Sequence, residues 1–159
     1  MTTSFHAGEL AVQEQAGVQA EASRLGKAIR AVLQPAQREF LHGQRLAVAG
    51  SVGANGQVWA SLLSGEPGFI QVVDEQTVLI DVVPTEGDPL WDNLREKGPL
   101  GLLVINPAIQ KRVRVNGIGE RRPDGKLVLH VQQAFGNCPR YIQVRQPEVT
   151  TPLVHSTQR

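Results

Sequence analysis

Residues 111–134 read KRVRVNGIGERRPDGKLVLHVQQA, and this stretch decides the fold. Val113 and Val115 alternate with Arg112, Arg114 and Asn116. A period of two puts the valines on one face of a β-strand and the two guanidinium groups and the amide on the other. A second strand follows over 126–134. Pro123-Asp124-Gly125 between them has the composition of a tight turn, so the two strands are expected to be antiparallel.

The same texture extends towards the N-terminus. Short runs of Val, Ile and Leu, separated by Gly, Asn, Asp and Pro, predict strands over 45–52, 57–64, 68–73, 77–83 and 100–106. Gly53-Ala54-Asn55-Gly56 marks another hairpin, because Asn-Gly accepts the positive φ of a tight turn. One helix is expected to interrupt the strands from Asp88 to Lys97, with Asp88 as N-cap, Pro89 at the first helical position and Gly98-Pro99 as terminator. A second short helix is expected after Asn137, on the signature Asn137-Cys138-Pro139. Six or seven antiparallel strands with inserted helices predict a closed barrel, since closure removes exposed sheet edges.

Before the strands, Glu9 to about Gln34 is rich in Ala, Gln, Glu, Arg and Lys, and Leu25, Ala28, Ile29, Val32 and Leu33 recur at helical offsets. This predicts one amphipathic helix, weakened by Gly17 and Gly26, that docks on the domain or on a partner chain. Pro35 ends it or starts a short second helix through Phe40 and Leu41, with Gly43 as the stop. The chain is thus expected to divide into a helical leader over 1–43, a β-domain over 44–146 and a tail over 147–159.

Composition narrows the function. A net charge of +1 in 159 residues advertises neither nucleic acid nor an anionic membrane. With four Phe, two Trp and one Tyr, the chain lacks the aromatics of a single-strand stacking platform. The single cysteine, Cys138, excludes an internal disulfide framework and a multi-thiolate metal site, and suits a reducing cytoplasm. The N-terminus lacks a basic and an apolar signal region, so neither export nor membrane insertion is expected. No P-loop and no dinucleotide fingerprint occurs, and His6, His42, His130 and His155 have no paired ligand spacing; no metal site is expected.

Two clusters carry candidate chemistry. Lys111, Arg112, Arg114 and Asn116 form the densest basic segment, either an anion clamp built on planar paired donors or an ordinary solvated strand face. Trp59, Ser61 and Leu63 share a strand face, where the tryptophan either lines a pocket for a planar ligand or belongs to the core. Cys138 stands before Pro139 as either a reactive thiol or a small packed side chain.

Taken in order, WASLLSGEPGFI (59–70), TVLI (77–80), DPLWDNL (88–94), LGLLVI (100–105), KRVRVNGIGE (111–120) and AFGNCPRYIQVR (134–145) resemble the pyridoxamine 5′-phosphate oxidase-like, FMN-binding split-barrel superfamily. The match is closest to its flavin-nucleotide-binding branch, found at the front of larger flavin or iron–sulfur oxidoreductases. FHAGELAVQEQAG (5–17) looks like that branch's leader.

The resemblance implies a mainly β chain with flanking helices, a six-stranded antiparallel split β-barrel with an N-terminal helix. It also implies a homodimer with FMN at the subunit interface. Carried over position by position, it implies that Trp59, Ala60, Ser61 and Leu62 lie along the flavin and that Lys111, Arg112, Arg114 and Asn116 form the basic strand. It also points to Asn137 and Tyr141 as cofactor contacts or anchors of the C-terminal segment.

The chain departs from the pattern at 81–88, DVVPTEGD, where members of the family carry Arg and Lys for the FMN phosphate. Acidic residues repel a phosphate. Either Lys111, Arg112 and Arg114 take over that duty, or the module has lost FMN and serves in dimerisation or binding. The substrate-binding arginine and histidine pattern of true vitamin B6 oxidases is absent, so that reaction is not expected.

Overall fold

A computed structural model describes residues 5–83, 85–136 and 138–146. Seven strands form one antiparallel sheet: β1 (Leu46–Val52), β2 (Val58–Ser64), β3 (Ile70–Val72), β4 (Thr77–Ile80), β5 (Gly98–Asn106), β6 (Lys111–Arg121) and β7 (Leu127–Gly136). Their order across the sheet is β2-β1-β5-β6-β7-β4-β3. The sheet curls around an apolar core, but β2 and β3 at its two ends are not hydrogen-bonded to each other. The expected closed barrel is therefore split, and seven strands stand where the resemblance implied six.

The alternation in 111–134 has the predicted effect. Val113, Val115, Leu127 and Leu129 point into the core with Leu63, Ile70, Ile80, Leu102 and Val104. Each such side chain removed from water contributes roughly 1.5–3 kcal/mol. Arg112, Arg114 and Asn116 point outwards. The hairpin turn at Arg122–Gly125 closes with a Gly125 N–H to Arg122 carbonyl bond of 2.9 Å, and Gly125 takes a φ of +85°. One irregularity breaks the ladder: the register shifts between Asn116 and Gly117, leaving Gln132 as an extra residue in β7. This bulge lets Val131 and Ala134 both face inwards although they stand three positions apart, an odd spacing that would otherwise put them on opposite faces. Gly117 opposite it has no room for a side chain, because a Cβ would fall on the carbonyl of His130.

The helical leader departs from expectation. One helix over 9–34 is replaced by α1 (Ala7–Gln15) and α2 (Gln19–Gly26), separated by Gly17 at φ +67°. Residues after Gly26 are extended: Arg30 exchanges backbone bonds with Ala134 at 3.1 and 2.7 Å, and Leu33 donates to the Glu75 carbonyl at 2.8 Å. The apolar stripe is thus not a helix face. Leu33 is buried while Leu25 is exposed. Tertiary pairing with the sheet edge offers these residues backbone bonds that an isolated helix weakened by two glycines could not match. Pro35 does begin a helix, α3 (Pro35–His42), whose Phe40 and Leu41 enter the core.

The inserted helix, α4 (Leu90–Asn93), is shorter than the expected span of 88–97. Asp88 still caps the turn, accepting the Leu90 N–H at 2.8 Å. Gly98 and Pro99, expected as terminators, instead open β5, opposite Gly119 and Ile118. Among the described residues no helix follows residue 137: Pro139–Ile142 is a turn closed by the Ile142 N–H on the Pro139 carbonyl at 3.0 Å. Among the described residues no helix is long and apolar enough to cross a membrane.

Candidate functional site

The outer face of the sheet carries a row of five paired residues, one per strand: Ala60 on β2, Gly50 on β1, Gly101 on β5, Asn116 on β6 and Gln133 on β7. The two glycines bare the peptide planes at the centre of the sheet. A Cβ on Gly101 would stand 3.3 Å from Asn116 Oδ1, so the missing side chains leave a cradle there. Asn116 Nδ2 donates to Gln133 Oε1 at 3.2 Å, which holds two amides side by side at one end of the row. Two adjoining hollows of about 240 and 360 Å³ meet over Gly50, Gly101 and Asn116.

Apolar side chains border this cradle. Leu62, Val48 and Leu103 run along one side, with Arg114 continuing their row on β6, and Val58 and Val52 lie on the other. Val58 is 75% exposed and Leu62 61% exposed, an apolar sheet face open to solvent.

The basic strand divides its duties. Arg112 Nη2 donates to the Cys138 carbonyl at 2.7 Å, and its buried Nε–H has no acceptor among the described residues. Lys111 lies 4.9 Å from the centroid of the Phe40 ring, away from the cradle. Arg114 is exposed, lines the cradle and has no hydrogen-bond or ion-pair partner among the described residues. Of the three cations, Arg114 alone is placed to meet an anion in the cradle.

The β2 residues split by parity. Ala60 and Leu62 lie on the cradle face, whereas Ser61 is buried on the other and donates its hydroxyl to Asp88 Oδ1 at 2.7 Å. Trp59 lies in the Ser61 register but at the strand end, and is half exposed. A parallel tie joins Asn93 Nδ2 to Ser51 Oγ at 2.9 Å, so α4 is fastened to both β1 and β2. These contacts also dispose of part of the acidity of 81–88, because Asp88 is engaged and Asp81 pairs with Lys126 at 2.9 Å.

At the far end of the outer face, Glu120 meets His130 Nε2 at 2.9 Å and Lys97 Nζ at 2.8 Å. Hydrogen bonding from His130 first, and from Lys97 second, holds the Glu120 carboxyl below its ordinary value of 4.5.

The chain matches the family model described as pyridoxamine 5′-phosphate oxidase over residues 33–153. The chain belongs to the pyridoxamine 5′-phosphate oxidase family. Among solved structures it is similar to HupZ of Group A Streptococcus, at TM-score 0.53 and 16% identity, covering 65% of this chain and 94% of that one. It is likewise similar to a putative pyridoxamine 5′-phosphate oxidase from Lactobacillus delbrueckii, at TM-score 0.51 and 15% identity, covering 67% and 95%. No curated protein matches the chain by sequence.

Within this pyridoxamine 5′-phosphate oxidase-family fold, the structure brings Ala60, Leu62, Arg112, Arg114 and Asn116 to one face and turns Trp59, Ser61 and Lys111 to the other register. Asn137 lies outside the described residues. Tyr141 stands on the Pro139–Ile142 turn, 89% exposed at φ +73°. That turn is fastened at both ends to the start of β6, by Arg112 to Cys138 and by Gln110 Nε2 to the Ile142 carbonyl at 2.7 Å. Gly50, Gly101 and Gln133 were not among the sequence candidates. The signal for the glycines was their isolation within apolar strands, where a missing side chain points to close approach of a backbone or ligand.

Proposed function

We propose that the chain holds FMN against the outer sheet face, with a second copy of the chain covering it, and serves as an oxidoreductase-type protein of the cytoplasm. The observation that carries this reading is the Ala60-Gly50-Gly101-Asn116-Gln133 row beside Arg114. A planar ring system fits against bare peptide planes, the two amides offer donors and acceptors to its polar edge, and Arg114 offers paired donors to a phosphate. Membership of the pyridoxamine 5′-phosphate oxidase family and the resemblance of 134–145 to the flavin-binding branch support the choice of FMN.

FMN, when bound, supplies the electron-transfer chemistry; the protein supplies position, exclusion of water and charge. Leu62, Val58 and Val52 keep the ring's surroundings apolar. A second copy laid on this face removes them from water, and Tyr141 on its rigid turn is available for the same interface. Ser61 acts from behind, by tying β2 to the turn that starts α4, and half-exposed Trp59 at the end of β2 is available to a ligand or a second copy. Asn137 is assigned to the same C-terminal contact.

A second reading has its own support. Arg112 and Ser61, both expected to touch the flavin, spend their strong donors on internal partners. A split-barrel module without FMN, serving in dimerisation, would show that economy.

One experiment separates the two. The purified protein is titrated with FMN while flavin fluorescence and thermal unfolding are followed. Binding predicts quenching and a stabilisation of about 2.7 kcal/mol at 100 times the dissociation constant. Unquenched flavin with an unmoved unfolding transition would sink the FMN reading and leave the dimerisation module.

A further inference from the structure

We propose a second anion site, at the opposite end of β6 from Arg114, that takes the phosphate group of a small phosphorylated molecule. It lies between α4 and the β6–β7 hairpin, in a cleft of about 400 Å³ lined by Trp91, Arg95, Arg121, Arg122 and Pro123. Three arginines converge there in a chain whose overall charge is +1. That concentration is local, and its small volume suits a compact ligand rather than a nucleic-acid backbone.

The geometry prepares Arg121. Its guanidinium carbon lies over the Trp91 ring, 5.0 Å from the centroid, a cation–π contact that restrains the group beside the cleft. Trp91 is itself held, half-buried against the core. Among the described residues Arg121 has no carboxylate partner. Its neighbour Glu120 is on the other face of the strand, engaged with Lys97 and His130.

Arg95 and Arg122 do have carboxylates, but only local ones. Arg95 pairs with Asp92 at 2.8 Å and Arg122 with Asp124 at 3.3 Å, all four side chains well exposed. Such exposed pairs are weak and exchange readily for a ligand that accepts several charge-assisted bonds at once. Pro123 and the closed turn hold Arg122 beside Arg121.

The site is independent of the flavin reading. Arg114 and Arg121 are seven residues apart on one strand, roughly 23 Å at 3.3 Å per residue, so one phosphate cannot use both.

The test follows the indole N–H signal of Trp91 by two-dimensional NMR during titration with inorganic phosphate and with pyrophosphate, against sodium chloride at matched ionic strength. The site predicts a saturable shift with the phosphates, at least roughly tenfold weaker in Arg121→Gln/Arg122→Gln. Arg95→Gln/Arg122→Gln, which keeps the Arg121–Trp91 contact, should weaken it too, and Arg114→Ala should leave it intact. A response that chloride reproduces, or that survives both double variants, overturns the proposal. FMN that moves Trp91 while leaving Asn116 and Gln133 unmoved would support this site and defeat the cradle as the flavin site.

Discussion

The hydroxyl of Ser61 and the carboxylate of Asp88 meet at 2.7 Å across 27 residues of sequence, and the same oxygen of Asp88 accepts the Leu90 N–H. One buried group on β2 thus positions the turn that starts α4. Ser61→Ala removes a bond to a partly buried carboxylate and should cost about 1–2 kcal/mol of stability in urea unfolding. Flavin affinity should change little. A variant of unaltered stability that binds FMN poorly would place the hydroxyl on the ligand instead.

Arg112 and Arg114 share a face but should behave differently. Arg114→Ala is expected to lower FMN affinity roughly tenfold or more while leaving stability within about 0.5 kcal/mol. Arg112→Ala releases the Cys138 carbonyl and should expose residues 138–146 to limited proteolysis, read by mass spectrometry of the fragments. Equal protease resistance in the two variants would remove Arg112 from its bracing role.

The Glu120 carboxyl, held below 4.5 by His130 and then Lys97, links stability to pH. Its folded-state value is lowered, so its contribution is fully present above the ordinary glutamate range. It is lost as pH falls through the lowered value. Glu120→Gln should flatten the acid limb of the stability curve between about pH 5 and the acid transition, measured by thermal unfolding at successive pH values. A wild-type-shaped acid limb in the variant would count against this linkage.

Gly117 faces the bulge in β7, and a Cβ there would fall on the His130 carbonyl. Backbone stands on both sides, so neither side can yield cheaply. Gly117→Ala should destabilise by about 3–5 kcal/mol or prevent soluble expression. Gly125→Ala, in open space but at φ +85°, should cost about 1–2 kcal/mol, as for an ordinary residue in the left-handed region. Denaturant unfolding of the two variants side by side checks the ranking.

The strand pattern was legible because it depends on alternation and turn residues: the strand that opens at Lys111 ends just before the Pro123-Asp124-Gly125 turn, and β1 and β2 start one residue later than expected. The helices were less legible. Residues 27–34 have helical spacing, yet the edge of the sheet at Ala134 and Glu75 takes their backbone groups, a competition no local window contains. At the candidate site, Arg114 and Asn116 were readable from parity. Arg112 was misleading, since its partner carbonyl lies in a segment whose path no spacing reveals. Ser61 was grouped correctly with Trp59, but the Asp88 that claims its hydroxyl was readable as a helix cap and as part of an acidic loop, and neither reading ties it to β2.

The order β2-β1-β5-β6-β7-β4-β3 has a kinetic consequence. β5, β6 and β7 pair with their sequence neighbours, whereas the β1–β2 and β3–β4 hairpins are attached to opposite sides of that meander by pairings between segments distant in the chain. Loop-closure entropy makes those two attachments the slow events. The meander should therefore consolidate first, with Val115→Ala slowing refolding and Val78→Ala chiefly hastening unfolding. The two hairpins that complete the fold would then be the first to detach under denaturant, and one of them carries Gly50 and Ala60, so the cradle would be lost before the strands that bear Arg114 and Arg121.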